Sequence, residues 1–405
     1  MANNKLHSWI KNIRMEWGFD SLAAISRLTA ISRLTAISRT AAFSSIVALG
    51  SMLSSCNDLM HDDLPSCDMG VDLQFKYDYN VQRADMFNDH VGGVSVFVYD
   101  QQGKYITRQE AYNSATSQPL KDHNYTMRLN LEPGKYRFAT FAFQKKYEET
   151  RTHNGAKFQI ALPEEGSDIK ELNVRLDRTS PNRRDAQSPD GNVLEDHPAV
   201  VENLSLPLDT LWQGLSDQLV EVKDLQVTKH TISLVRDTKQ LTIRLHQLNE
   251  PTNINADDFS YQITDANGYI NYDNSLLPDE ELRYTPYKTW TTEFKDQDGK
   301  VTERTAIAAL MFSRIILHPV TENDKNAILS IWNKKTGEEV VRINLADCLA
   351  QGRGAFENMN YSAQEFLDRE YDYKLDFFLK GDQWQYMQLG ISILDWSKRI
   401  QRADL

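Results

Sequence analysis

From Val71 onward the chain alternates apolar and polar positions with a period of two, interrupted by clusters of Asp, Asn, Gly and Pro. Alternation at that period sends successive side chains to opposite faces, so it predicts half-buried strands rather than helices. The run VSVFVYD, with Val94, Phe97 and Tyr99, stops at Asp100-Gln101-Gln102-Gly103 and resumes at Tyr105 and Ile106, which predicts two strands and a turn. The same punctuation stands at Asp265-Ala266-Asn267-Gly268, between YQIT and YIN, and at Asp296-Gln297-Asp298-Gly299, before KVTERTAIAALMF. Glycine supplies the positive φ of a tight turn and aspartate accepts hydrogen bonds from the turn's own backbone, so all three sites predict antiparallel hairpins.

The strand RFATFAF follows the Pro-Gly turn Leu131-Glu132-Pro133-Gly134-Lys135-Tyr136. It is apolar on both faces, with Phe138, Thr140 and Ala142 on one and Ala139, Phe141 and Phe143 on the other, which predicts a central strand of the kind found in transthyretin-like sandwiches. Further strands are expected at Thr231 to Val235, Leu241 to Leu245, Ile328 to Trp332, Val340 to Leu345, Tyr373 to Leu379 and, last, Leu389 to Trp396. Short helices are expected at Ala363 to Arg369, with Ser362 as N-cap, and at Asp209 to Trp212. The segment 179–198 holds Pro181, Pro189, Pro198 and Gly191 with almost no bulky apolar residue, and reads as a linker or long loop. The expected fold class is all-β, with two antiparallel β-sandwich domains in series at 68–178 and 199–405.

The first 67 residues follow other rules. Ala24 to Arg39 repeats a hexapeptide, AISRLT AISRLT AISR, whose period does not match a helix and keeps no face apolar. Ala41 to Leu53 is apolar and uncharged, and Leu53-Ser54-Ser55-Cys56 closes it with small residues before a cysteine, as in a bacterial lipoprotein signal. Its 13 residues, at ~1.5 Å each, span about two-thirds of a bilayer's hydrocarbon, so a cleaved signal fits better than a permanent helix. On this reading residues 1–55 are the signal, Cys56 carries lipid, and 56–67 form an acidic tether with Asp58, Asp62 and Asp63. A chain held by acyl chains acts at a membrane surface.

Removing residues 1–55 leaves 350, enough for two domains with substantial cores. The removed part holds six Lys/Arg against two acids, so the net charge of −12 becomes −16 in the remainder. Nucleic-acid phosphates would repel such a body, and no basic patch interleaved with aromatics offsets the repulsion, which disfavours nucleic acid as a partner. With Cys56 acylated, Cys67 and Cys348 remain; a disulfide between them and two reduced buried thiols are equally compatible with an exported chain. HExxH, GxSxG and GxxxxGK[ST] are absent, and Asp265, Asn267 and Asp273 do not make a calcium loop because Gly268 falls at the fourth position instead of the sixth. No enzyme activity, metal or cofactor is expected. Tyr261, Tyr269, Tyr272, Tyr284, Tyr287 and Trp290 gather between Asp258 and Lys295, a density that suits an ordinary core better than an exposed glycan platform.

Several stretches together resemble a known family. They are Asp63-Leu64-Pro65-Ser66-Cys67, then VDLQFKYDYN from Val71, VSVFVYDQQGK from Val94, LWQG at Leu211 to Gly214, SAQEFLDRE at Ser362 to Glu370, YKLDFFL, and Ile391 to Trp396. The chain beyond Cys56 is similar throughout to the FimB-type fimbrium-anchoring subunits of Bacteroidales, whose lipoproteins also carry an acidic stretch after the lipidated cysteine. The resemblance implies two transthyretin-like sandwiches in a structural lipoprotein that fixes a type V pilus to the outer membrane, surface-exposed at the pilus base, with pilin subunits as partners and Cys56 as the attachment. It further implies β-strand complementation with the first pilin, because an open groove leaves backbone groups unpaired until a neighbour's strand satisfies them. A terminal strand is the easiest to lend, which makes Leu389, Ile391, Ile393 and Trp396 the candidate exchange segment. The alternative, a surface glycan-binding lipoprotein of a nutrient-uptake system, rests on the aromatic cluster.

Overall fold

The computed structural model describes residues 69–152, 154–179, 198–393 and 396–402. Strands β1 (Gly70–Lys76), β2 (Gly93–Asp100), β3 (Tyr105–Tyr112), β4 (Met127–Leu129) and β5 (Gly134–Phe143) come first, with helix α1 (Phe87–His90) before β2. Helix α2 (Tyr147–Arg151) precedes β6 (Phe158–Ile160) and β7 (Asn173–Leu176). Then follow β8 (Ala199–Val201), β9 (Leu211–Leu215), β10 (Val220–Val222), β11 (Val227–Ser233), β12 (Val235–Arg236) and β13 (Lys239–Gln247). Next are β14 (Phe259–Asp265), β15 (Tyr269–Asn271), β16 (Leu282–Tyr284), β17 (Lys288–Lys295), β18 (Val301–Phe312), β19 (Ile328–Asn333) and β20 (Glu339–Asn344). Helices α3 (Leu345–Ala350) and α4 (Ala363–Arg369) lead to β21 (Asp372–Lys380), β22 (Gln383–Ile393) and β23 (Trp396–Arg402).

The architecture is all-β, as the alternation requires. In the first sandwich the sheet β11-β1-β4 lies over the sheet β12-β9-β5-β2-β3, and Val71, Leu73 and Phe75 share a core with Val96, Val98, Phe138 and Trp212. β5 sits between β2 and β9, and its two faces enter different cores: Phe138 and Ala142 join the first, while Ala139, Phe141 and Phe143 join Tyr147, Phe158 and Leu172. Each fully buried phenylalanine is stabilised by about 1.5–3 kcal/mol relative to exposure, which fixes this strand at the centre. The second sandwich sets β17-β18-β13-β21-β22-β23 against β20-β19-β14-β16-β8. Its core, with Leu241, Ile243, Ile263, Leu329, Leu375 and Phe377, is continuous with the outer face of β5.

The sheets do not part at the expected boundary. β8, just past residue 198, pairs in parallel with β16 of the second sandwich, but β9 to β12 return to the first. Two further pairs are parallel, β1 with β11 and β13 with β21, among sheets that are otherwise antiparallel. TISLV is split at Leu234 between the end of β11 and the start of β12, both in the first sandwich, whereas LTIRL lies within β13 of the second. A Pro-rich stretch marks a connection; it does not say which sheet the next strand joins.

Two of the three predicted hairpins form. Gly103 has φ +76° and Asp100 Oδ1 accepts from the backbone N–H of Gln102 and Lys104, between β2 and β3. Gly299 has φ +80° and Asp296 Oδ1 accepts from Asp298 and Lys300, between β17 and β18. The third, Asp265 to Gly268, is a corner instead, since β14 pairs with β16 and β19 while β15 pairs with β7. Gly268 is needed there for space: a Cβ would stand 2.4 Å from Leu282 Cδ1 and 2.7 Å from Arg178 Nη2.

Helix α4 appears as expected, with Ser362 Oγ accepting from the Glu365 N–H. The helix expected at Asp209 to Trp212 does not exist: Leu211 opens β9 and the Trp212 side chain is wholly buried. One turn of helix has too few internal bonds to compete with pairing along β5. Helix α3, capped by Asn344, follows directly on β20 and carries Cys348. Gly268→Ala should lower the unfolding free energy by about 1–3 kcal/mol through overpacking. Gly354→Ala, with no atom within 4 Å of the added carbon, should leave it unchanged, and urea unfolding of the two variants checks both.

Candidate functional site

Where the chain passes from β12 to β13, four consecutive polar residues are buried: Arg236, Asp237, Thr238 and Lys239. Ionic groups out of water need partners, and Lys239 finds its own at the end of α4, while Arg236 donates to Thr238 O at 3.0 Å. Lys239 Nζ donates to the carbonyl oxygens of Asp368 and Glu370 at 2.8 and 2.9 Å. Arg314 grips Asp368 through both carboxylate oxygens, Nε to Oδ1 at 2.7 Å and Nη2 to Oδ2 at 2.9 Å, a geometry that only a guanidinium supplies. Arg236 lies 4.0 Å from the Tyr371 ring centre and 5.6 Å from that of Trp212. At the rim, Arg369 covers the Tyr79 ring at 3.9 Å, and Arg83 Nε donates to the Tyr361 hydroxyl at 2.9 Å. The first sandwich thus contributes Tyr79, Arg83, Trp212 and Arg236, and the second contributes Arg314 and the α4 segment.

Burial pushes the carboxyls of Asp237 and Glu370 upward, Glu370 to about 7, and pushes the Lys239 ammonium downward. Asn274 is the polar neighbour of Asp237, but neither carboxylate oxygen forms a well-aligned hydrogen bond. Away from this joint, burial lifts Asp265 to about 8. Among the described residues no group of three or more His, Cys, Asp and Glu side chains could hold a metal ion. The directional contacts of Lys239 and Arg314 suit the joint to holding two bodies in register.

The far edge of the second sandwich carries the candidate exchange segment. Leu389 is buried in β22, which pairs with β21 on one side and β23 on the other. Ile391 and Ile393 are also in β22, whereas Trp396 opens β23, opposite Ile393. The expected final strand is thus a hairpin, and the sheet ends on β23, whose residues WSKRIQR continue beyond Trp396. On the same sheet the rings of His246, Phe378 and Tyr386 stack across three strands at 4.7 and 4.5 Å, and His246 lies between Asp376 and Glu303 at 2.9 and 3.2 Å.

The remaining sequence candidates separate. Tyr261 and Tyr284 point into the core, and Tyr269, Tyr272, Tyr287 and Trp290 are half-buried, so the six rings make no flat exposed platform. Cys348 is buried in α3 with its Sγ 3.8 Å from Met387 Sδ. Cys56 and Cys67 lie outside the described residues, as do the tether and most of 179–198. Among the described residues no helix is long and apolar enough to cross a membrane. The buried joint was not anticipated; its one sequence trace is the charged triplet Arg236, Asp237, Lys239 set between apolar strands.

The family described as Mfa2, fimbrillin-A associated anchor proteins Mfa1 and Mfa2, matches residues 64–402. Among solved structures, a candidate adhesin from Bacteroides thetaiotaomicron is 27% identical, with a TM-score of 0.64 over 84% of this chain and 100% of that one. A candidate polysaccharide-binding protein from the same organism is also 27% identical, with a TM-score of 0.59 over 82% and 99%. The fimbrial anchor protein Mfa2 of Porphyromonas gingivalis shares the fold at 15% identity, with a TM-score of 0.51 over 81% and 98%. A search of curated proteins finds no match.

Lys239→Ala would leave the buried carbonyls of Asp368 and Glu370 without their donor, and should destabilise the protein by about 1–3 kcal/mol or more in urea unfolding at neutral pH. Asp265 binds its proton more tightly folded than unfolded, so its contribution is greatest in acid and is lost as pH rises through about 8. Asp265→Asn, which cannot ionise, should compare best with the parent near pH 3, below the ordinary carboxyl value, and gain on it steadily as pH rises from about 4 to about 8, by at least about 1 kcal/mol at pH 9 relative to pH 3, in paired unfolding curves.

Proposed function

The chain belongs to the Mfa2 family of fimbrillin-A associated anchor proteins, which gives it a fimbria-associated place at the cell surface, and on that footing we propose that it tethers a pilus to the outer membrane. In this reading a lipid on Cys56 holds the membrane end, residues 57–67 are the tether, and the β22–β23 hairpin meets the first pilin by strand pairing. The protein acts as a structural link and not as an enzyme. The observation that carries the reading is the match itself: it begins at Leu64, just past a lipoprotein-type cysteine, and runs to Arg402, so an anchor-type body follows an anchor-type signal with only the tether between.

Strand pairing is supported by the position of β23 at the end of its sheet, paired with β22 on one side. An edge strand offers a row of backbone N–H and C=O groups that a partner's strand can satisfy. The glycan-binding alternative is weakened by the burial of Tyr261 and Tyr284, which removes two of its six rings.

Cys56→Ala should shed both the protein and its pili into the medium, as read by immunoblots of cells and culture fluid; pili retained at normal length would refute lipid anchoring. Truncation after Ile393, which deletes β23, should leave the protein on the cell but abolish co-purification of pilin. Unchanged co-purification would move the pilin contact elsewhere.

A further inference from the structure

We propose that the parallel pair β1–β11 is a mechanical lock, loaded in shear, that carries tension from the N-terminal tether into the second sandwich. The direction of the load rests on the anchoring reading; the strength of the pair does not.

Gly70 lies opposite Val227 at one end of the pair and Lys76 opposite Ser233 at the other, with every residue of β1 in register between them. The chain from the tether enters at the Gly70 end. It leaves β11 at the Ser233 end, toward β12 and β13. Tension between these points therefore drags β1 along β11, parallel to both strands. Every bond across the ladder then shares the load, and none yields until all do. Tension applied to both strands at one end would instead peel them apart one bond at a time, although the same bonds are broken.

The surroundings oppose sliding as well. β4 grips the other edge of β1 from Val71 to Leu73, and Asp72 pairs with Arg128 at 2.6 Å. Val71, Leu73 and Phe75 are buried, so a slip by one residue would turn their apolar side chains to the wrong face. At the exit, Leu234 N–H donates to Lys76 O at 2.8 Å and Ser233 Oγ donates to Asp78 at 2.5 Å. The parallel pair β13–β21, with Gln240 opposite Asp372 and Gln247 opposite Leu379, repeats the arrangement where the chain enters the second sandwich.

The test is single-molecule force spectroscopy on the full chain, with handles clicked to azide-bearing residues. Handles at Met69 and Ser233 load the pair in shear; handles at Met69 and Gln226, both at the Gly70 end, peel it. A severalfold higher rupture force for the first geometry supports the lock, and equal forces, or a weaker first geometry, overturn it. These forces are independent of lipid attachment. Retention of pili by Cys56→Ala cells would retire the anchoring reading while leaving a direction-dependent strength standing.

Discussion

Lys239 is the constraint on which the rest of the structure turns. A buried ammonium costs several kcal/mol unless it is fully partnered, and this one is met by the carbonyls of Asp368 and Glu370 at the end of α4, with buried carboxylates nearby. Those groups are in place only if α4 has ended correctly, Arg314 has engaged Asp368, and β13 has started beside β21. One buried cation thus fixes the angle of entry from the first sandwich into the second. A hydrophobic joint of similar area would be at least as stable, but it would tolerate sliding; directional charges select one docking.

Much of this was legible along the chain. Alternation placed most of the strands, the Asp-x-x-Gly turns at Gly103 and Gly299 placed two hairpins, and Ser362 placed α4. The double apolar face of RFATFAF marked β5 as central, because only a strand covered on both sides can bury Phe138 and Phe141 together. The SAQEFLDRE stretch that helped carry the family resemblance proves to be the half of the joint contributed by α4, with Asp368 and Glu370 inside it. What looked like a helix with an ordinary cap is the partner of Lys239.

What stayed hidden has a common cause. Local signals specify that a residue is extended, turning or buried; they do not name its neighbour. Asp265 to Gly268 has the composition of a hairpin turn but bends between sheets, because the partner of β15 is β7, far upstream. Residues past 198 look like the start of a second domain, yet four strands go back to the first. The extra strand β23 was missed because WSKRIQR carries three cations and shows no clean alternation, so it reads as a tail. Leu389, Ile391 and Ile393 lie on β22, one strand in from the sheet's end, and Trp396 opens β23, the end strand itself.

The interleaving of strands also sets a schedule. A chain made and delivered N-terminus first presents β1 early, but β11 lies about 150 residues further on, and β7 and β8 wait similarly for β15 and β16. The first sandwich cannot close until β11 and β12 arrive, the second needs β8 from before them, and pairing over such separations is slow. In the interval Val71, Leu73 and Phe75 stand bare on an open edge, the condition that invites wrong pairings. Maturation is therefore stepwise and late: the β1–β11 pair and the sandwich around it have little strength until the chain has arrived as far as Arg236, past its midpoint.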